Sequence, residues 1–132
     1  MDKEFEKFDI RNIGEIYDAL CHLWCAETCA PRMRKDWTKE NMTLGQCSIT
    51  SFLIQDILGG EVYGVPLPEG GYHCFNYIDG KDYDTTAAQF GDTKLVYNHK
   101  YPQYREEHFI DKDKYQRYLL LRKKLLTYLS HK

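Results

Sequence analysis

Three segments of the chain carry apolar residues at helical spacing. The first runs from about Asp9 to Thr28 and closes before Pro31, and the second runs from about Gln46 to Leu58 and ends at Gly59. The third follows Asp111, a residue type that favours the N-cap position, and continues to about Leu129. Apolar side chains three and four residues apart share one face of a helix, so the pattern predicts three amphipathic helices.

Extended segments lie between the second and third predicted helices. Glu61 to Val65 reads as a short strand, and Lys94 to Tyr97 reads as another. Tyr72 to Ile78 and Lys81 to Thr86 flank Asp79-Gly80, which is a strong two-residue hairpin signal. These segments predict a small antiparallel sheet and an α+β fold.

The length of the hairpin loop determines which side chains share a face of the sheet. A two-residue loop places Phe75 opposite Asp84 and His73 opposite Thr86. His73 and Asp84 are then diagonal neighbours on one face, within reach of each other. A four-residue loop keeps them on one face but farther apart, and a three-residue loop separates them.

Cys47 falls in the first turn of the second predicted helix, directly after Gly45-Gln46. Free N–H groups and the helix dipole lower the pKa of a thiol placed there, and the same N–H groups can stabilise an oxyanion. Together with His73 and Asp84, Cys47 supplies the nucleophile, base and orienting carboxylate of an acyl-transfer site. The alternatives are a small apolar cysteine, a core histidine, and an aspartate that forms an Asx turn or a helix cap.

Composition narrows the classes of partner. The 132 residues suit one domain spanning 1–132. With 18 basic against 20 acidic residues, the chain has no net positive electrostatic field that would hold nucleic acid. No apolar run approaches the ~20 residues that cross a bilayer, and the charged N-terminal residues do not resemble a signal peptide. We therefore expect a soluble, cytoplasmic chain that binds neither nucleic acid nor membrane.

The five cysteines suggest neither disulfides nor a metal. Their number is odd, and thiols in the cytoplasm stay reduced. Cys21, Cys25 and Cys29 recur every four residues, which places them on one stripe of any helix there, whereas His22 points to a different face. Zinc motifs bring ligands from different elements with spacings such as CxxC, so we interpret these cysteines as packed small hydrophobes and expect no metal.

The run HCFNYIDGKDYDT, from His73 to Thr85, resembles the histidine strand, hairpin turn and Asp-x-Thr strand of transglutaminase-like domains. Gly45-Gln46-Cys47 resembles their nucleophile helix. A closer resemblance, to the small bacterial YunG-like family, rests on Trp37, Asn41, Gly45-Gln46-Cys47, Thr50, Gln55-Asp56, Gly59-Gly60-Glu61, His73, Asn76, Gly80, Asp84 and Gln89-Phe90.

The resemblance implies a papain-like or transglutaminase-like core with Cys47 as nucleophile, His73 as base and Asp84 as orienter. Papain-like proteases carry a glutamine six residues before the cysteine, where this chain has Asn41. Asn41 and Gln46 are therefore the candidates for an oxyanion-binding side chain, because both amides present N–H groups. Trp37, within the polar Arg32 to Leu44 segment of loops or short turns, is a candidate substrate contact.

The expected function is a thiol-dependent acyl hydrolase or transferase that acts on an amide or ester through a thioester, without a cofactor. The short chain suits a small molecule or a protein side chain as substrate. The alternative is a catalytically silent scaffold that serves as a binding module, in which Cys47 is buried and out of hydrogen-bond reach of His73. The chain is expected to be a monomer, or a homodimer through its C-terminal helix.

Overall fold

The computed structural model describes residues 2–10 and 12–131 and shows an α+β fold. Three antiparallel strands lie in the order β1-β2-β3: β1 is Glu61–Pro66, β2 is Tyr72–Ile78 and β3 is Lys81–Tyr83. The α-helices are α1 (Lys3–Glu6), α2 (Ile13–Leu20), α3 (Cys47–Leu58), α4 (Arg105–His108) and α5 (Lys112–Ser130). Short 3₁₀ turns cover Ala26–Thr28, Pro31–Asp36, Lys39–Asn41 and Ala87–Phe90.

Helix α3 is the centre of the hydrophobic core. Its residues are buried on almost every side, as expected for a helix packed between other elements. It contacts β2 on one side and α5 on another, where Leu121 and Leu125 are fully buried. The predicted second helix is confirmed, and its first residue is Cys47.

The first predicted helix is too long. The prediction ran from Asp9 to Thr28, and part of it, Arg11, lies outside the described residues. Helix α2 covers only Ile13–Leu20. The backbone is extended at Cys25, whose N–H binds the hydroxyl of Thr28 at 3.1 Å. This local side-chain bond replaces helical hydrogen bonding and starts a 3₁₀ turn.

The shorter helix corrects the expected arrangement of the cysteines. Cys21, Cys25 and Cys29 flank separate short elements, so they do not form one helical stripe. All five cysteines are free thiols. Within residues 2–10 and 12–131, no group of His, Cys, Asp and Glu side chains is arranged to hold a metal ion.

The Asp79-Gly80 hairpin has the predicted loop but a shorter second strand. Ile78 pairs with Lys81, and the last pair joins Asn76 to Tyr83. The predicted pairs beyond this point, Phe75 with Asp84 and His73 with Thr86, are not formed. The Asp84 carboxylate accepts the N–H of Thr86 at 3.2 Å, and this local turn takes the chain away from β2.

The predicted strand from Lys94 to Tyr97 is wrong, because this segment has no regular secondary structure. The free edge of β1 is instead covered by the segment around Pro102, which bridges to Tyr63. The N–H of Gly64 donates to Tyr101 across the same edge at 2.8 Å. An irregular segment therefore covers an edge that would otherwise expose unpaired backbone groups.

Helix α5 begins at the predicted cap, where the Asp111 side chain accepts the N–H of Lys114 at 3.1 Å. One face of α5 docks on α3 through Leu121 and Leu125, and its buried Arg117 reaches the carbonyl of Thr28 at 3.2 Å. No helix in the described part of the chain is long and apolar enough to cross a membrane.

A polar cluster joins the last turn of α3 to α4 and α5. Its members, here called the Asp56 cluster, are Asp56, Arg105, Tyr118 and Arg122. The Asp56 carboxylate binds Arg105 at 2.7 Å and Arg122 at 3.4 Å, and accepts the hydroxyl of Tyr118. Arg122 also binds Asp2 and Glu4, each at 2.8 Å, so the cluster ties α1 and the residue before it to the core.

Candidate functional site

A turn at Gly45 precedes Cys47 and the start of α3. Gly45 has a φ of 69°, a left-handed conformation that favours glycine. A Cβ atom at this position would lie 2.6 Å from the sulfur of Cys29 and 2.8 Å from the backbone nitrogen of Ala30. Both the backbone angle and the lack of space therefore require glycine just before the start of α3.

The N-terminus of α3 has no side-chain cap, since Gln46 occupies the N-cap position without accepting a hydrogen bond from the helix. Within the described residues, the backbone N–H groups of Cys47 and Ser48 have no hydrogen-bond partner. Such unpaired groups at a helix start carry partial positive charge and bind anions. They are positioned beside the thiol, where an oxyanion would form after attack on a carbonyl.

His73 on β2 is held by Asp84. Nε2 of His73 lies 2.7 Å from a carboxylate oxygen of Asp84, and the two side chains are 1% and 7% exposed. The same Asp84 oxygen accepts the hydroxyl of Tyr97 at 2.6 Å, while its other oxygen accepts the N–H of Thr86 at 3.2 Å. The Asx turn considered as an alternative role for Asp84 thus coexists with its contact to His73.

This carboxylate changes the proton affinity of the imidazole. Burial lowers the pKa of His73, but the hydrogen bond to Asp84 and the interaction with Cys47 outweigh it and raise the pKa to about 9. The second ring nitrogen, Nδ1, is buried and has no hydrogen-bond partner in the described part of the chain. His73 is therefore an oriented imidazole with a raised pKa and one ring nitrogen that binds no described group.

Cys47 is half-buried and interacts with two neighbours. Its pKa is held well below the usual value for a thiol, chiefly by the Cys74 side chain, and further by His73, against the opposing effect of burial. Cys74 is fully buried and its own pKa is raised, because the negative Cys47 sulfur is beside it. The sulfur of Cys47 makes no hydrogen bond of ordinary geometry with Nδ1 of His73, although each group shifts the pKa of the other.

Cys47 and His73 line the same pocket, which has a volume of about 380 Å³. The ring of Phe90 forms one wall and meets the His73 ring edge to face at 4.7 Å. Three basic residues, Arg32, Lys114 and Arg117, also line it. The pocket therefore brings a thiol, an imidazole and several positive charges together.

The three other predicted site residues do not line this pocket. The side-chain nitrogen of Gln46 donates to the carbonyl of Cys25 at 3.1 Å, and Gln46 is fully buried. The indole of Trp37 donates to the carbonyl of Met42 at 2.9 Å. Asn41 ends a 3₁₀ turn capped by Thr38. This geometry favours the backbone N–H groups of α3 over these side chains as oxyanion donors.

Sequence reasoning missed residues that reach the site from other elements. Tyr97 supports Asp84, and Gln89 accepts the N–H of Gly45 at 3.4 Å. The signals were present, since Tyr97 lies in a tyrosine-rich segment and Gln89 directly precedes Phe90. Lys114 lies one helical turn after the Asp111 cap, but no local pattern indicates which way that turn faces.

The fold and site define an α+β protein in which a helix-start cysteine shares a pocket with a buried His–Asp pair. The family model described as "YunG protein" matches residues 12–130, so the chain belongs to the YunG family. It is 39% identical over 80 residues to "Uncharacterized protein YunG" of Bacillus subtilis strain 168, a match covering 61% of this chain and 67% of that one. No solved structure matches the chain significantly.

Proposed function

We propose that this protein is a cysteine-dependent acyl hydrolase or acyl transferase of the papain-like and transglutaminase-like type. Cys47 would be the nucleophile, His73 the acid and base, and Asp84 the group that orients His73. The order of elements supports the proposal: the cysteine begins a central helix, the histidine lies on the next antiparallel pair, and the aspartate follows the hairpin. Whether water or an amine accepts the acyl group depends on the unidentified substrate.

One observation carries the proposal. The imidazole of His73 uses Nε2 to bind Asp84 at 2.7 Å, while its buried Nδ1 has no partner and the Cys47 thiol is the adjacent titratable group. A buried polar nitrogen without a partner is costly in a purely structural role. An acid–base catalyst, by contrast, needs that nitrogen available to the thiol and to the leaving group.

The mechanism follows from these positions. With the pKa of Cys47 lowered and that of His73 raised, the resting pair is a thiolate beside an imidazolium. The thiolate attacks the carbonyl carbon of an amide or ester, and the N–H groups of Cys47 and Ser48 bind the oxyanion. His73 gives its proton to the leaving amine or alcohol, which leaves a thioester on Cys47. His73 then deprotonates water or an amine, which cleaves the thioester and restores the thiolate.

A binding module without catalysis is the second candidate. It is favoured by one specific observation, the missing hydrogen bond between Cys47 and His73. Against it, Cys47 is half-buried and lines a pocket, whereas a silent scaffold needs no accessible thiol. Hydrogen bonds of catalytic pairs often tighten only when substrate binds.

Thiol reactivity against pH distinguishes the two candidates. Native protein is labelled with iodoacetamide at a series of pH values, and the five cysteines are quantified separately by mass spectrometry. We expect Cys47 to label fastest, with an apparent pKa well below the ~8.5 of a free thiol, and this pKa to rise in His73→Ala. Cys21 serves as the internal reference, because it is half-buried like Cys47. Cys25 is unsuitable, since Nζ of Lys124 lies 3.3 Å from its sulfur.

Burst kinetics with p-nitrophenyl acetate then test acyl transfer itself. The wild type should release one equivalent of nitrophenolate rapidly as the thioester forms, and Cys47→Ser should not. Circular dichroism confirms that each variant is folded. If Cys47 labels no faster than Cys21 and gives no burst, the enzyme proposal is wrong and the binding module takes its place.

A further inference from the structure

We propose that the pocket selects a substrate bearing a carboxylate, which Lys114 and Arg32 bind next to Cys47. This inference rests on the proposed function, because it names the class of substrate that the same site takes. Two groups of residues line the pocket. Residues of α3 and β2, including Cys47 and His73, form one part of the lining, and Arg32 with the first turns of α5 forms another.

The charged side continues into a second hollow. Arg32, Tyr72, His108 and Lys114 line both the Cys47 pocket and this neighbouring hollow, which has a volume of about 370 Å³. The two spaces therefore form one groove that runs from the thiol past the basic residues. A substrate whose carbonyl lies at Cys47 can place a charged end within this groove.

Lys114 is oriented without being neutralised. Its Nζ lies 2.9 Å from Nδ1 of His108, and Nε2 of His108 lies 2.8 Å from the side-chain oxygen of Gln103. His108 must therefore be neutral, with Nδ1 accepting from Lys114 and Nε2 donating to Gln103. Burial and the charge of Lys114 agree with this, since they lower the pKa of His108 to about 4. The imidazole thus fixes the ammonium group while leaving its positive charge uncompensated.

Arg32 is the second uncompensated charge. It is exposed and makes no ion pair or hydrogen bond with the residues that the structure describes. Arg117 differs, because its guanidinium binds Asp113 at 2.8 Å and the carbonyl of Thr28 at 3.2 Å. Among the described lysines and arginines that line the groove, Lys114 and Arg32 are therefore the two that remain available to a ligand.

The acidic residues favour a carboxylate over a phosphate dianion. Asp111 lines both hollows and caps α5, which leaves its negative charge at the rim, and Glu107 lines the second hollow. The attraction of the two cations and the repulsion of these carboxylates both double for a doubly charged group, whereas its desolvation cost grows faster than its charge, so a groove of low net charge favours the monoanion. A monoanion needs only the two free cations, and the Arg32 guanidinium matches the geometry of a carboxylate.

Two alkylating reagents of similar size test this inference. Iodoacetate carries a carboxylate and iodoacetamide is neutral, and both alkylate a thiolate with loss of iodide. The measured quantity is the ratio of their rates at Cys47 at pH 7.5. In Lys114→Met and in Arg32→Gln we expect this ratio to fall about fivefold each, because each variant removes one attractive charge near the reagent.

Matched controls separate a local effect from net charge. Lys112→Met removes a charge from the same turn of α5, and Lys35→Met removes one near Arg32, but neither residue lines the groove. Both controls should keep the wild-type ratio. The His73 imidazolium is present in all these proteins, so its own attraction for iodoacetate cancels in the comparison. Raising the salt concentration should reduce the wild-type ratio more than that of Lys114→Met.

The outcomes separate the two proposals. If iodoacetamide labels Cys47 no faster than the reference Cys21, the proposed function fails. If Cys47 reacts rapidly with iodoacetamide but the ratio in both Lys114→Met and Arg32→Gln equals that of the controls, the carboxylate inference is overturned and the proposed function stands. Arg32 is exposed, so its variant tests the inference even if Lys114→Met folds poorly.

Discussion

Two largely buried carboxylates, Asp56 and Asp84, organise two regions of the molecule in different ways. Asp56 is 10% exposed and binds two arginines and a tyrosine hydroxyl. Asp84 is 7% exposed and binds one histidine, one tyrosine hydroxyl and a backbone N–H. Both are well supplied with donors, but two of the donors of Asp56 are arginines that stay charged at every physiological pH.

The two carboxylates differ in the groups that interact with their negative charge. Around Asp56 the charge is balanced by Arg105 and Arg122, and Arg122 is further bound by acidic residues near the N-terminus. The charge of Asp84 acts on the imidazole of His73. The other ring nitrogen of His73 has no hydrogen-bond partner among the described residues, and the titratable thiol next to it is Cys47. A closed network is typical of a structural role, whereas a network that ends on a titratable, unpaired group beside a pocket is typical of functional sites.

The largest effect on stability is expected from Asp56→Asn. This change leaves Arg105 and Arg122 without their carboxylate in the core, and we expect the free energy of unfolding in urea to fall by about 3 kcal/mol. The labelling rate of Cys47 in the folded protein should stay unchanged. Asp92→Asn, at an exposed position, is the control and should stay within about 0.5 kcal/mol of wild type. A large loss of Cys47 reactivity in folded Asp56→Asn would contradict the division between the two regions.

Asp84→Asn should affect Cys47 reactivity strongly and stability less, which is the opposite of Asp56→Asn. Loss of the carboxylate charge lowers the pKa of His73, so the imidazolium is less populated and the pKa of Cys47 rises. A rise of about one unit would slow iodoacetamide labelling below that pKa by about tenfold. The loss of stability should be smaller than for Asp56→Asn, because no arginine loses its carboxylate and the asparagine oxygen can still accept from Tyr97 or from Thr86, which bind different oxygens of Asp84.

The same hairpin offers the matched control for this variant. Asp82 also binds a histidine, His99, at 2.8 Å, but these side chains are 33% and 40% exposed. Solvent screens an exposed pair, so Asp82→Asn should change neither Cys47 labelling nor stability appreciably. Equal effects of the two substitutions would show that the His73–Asp84 contact has no special influence on the thiol.

The parts of the site that depend on short-range sequence could be predicted. Asp79-Gly80 fixed the hairpin loop, and this loop brings His73 and Asp84 into contact even though β3 ends before Asp84. Gly45 predicted a turn before a helix, and the structure requires glycine there. In both cases the backbone conformation is determined by a residue or two within a few positions of the site.

The predictions that were wrong concern segments whose structure depends on residues far away in the chain, or on side chains that compete for backbone hydrogen bonds. The predicted helix from Asp9 to Thr28 was broken because Thr28 binds the backbone of Cys25, which apolar periodicity does not reveal. Lys94 to Tyr97 was predicted as a strand, but the segment around Pro102 covers the open edge of β1 instead. Lys114 faces the pocket only because α5 docks on α3, a contact between elements far apart in the chain.

The smallest effect is expected from Tyr97→Phe, which removes one donor from Asp84 and keeps the ring that packs edge to face on Phe75 at 4.9 Å. We expect a loss of about 1 kcal/mol in the free energy of unfolding, as for a single hydrogen bond. Cys47 labelling should stay within about twofold of wild type, because Thr86 still orients Asp84 and the carboxylate charge is intact. Tyr101→Phe, whose hydroxyl binds no described residue, is the control. A tenfold loss of labelling in Tyr97→Phe, equal to that expected for Asp84→Asn, would instead make Tyr97 a positioning residue of the site.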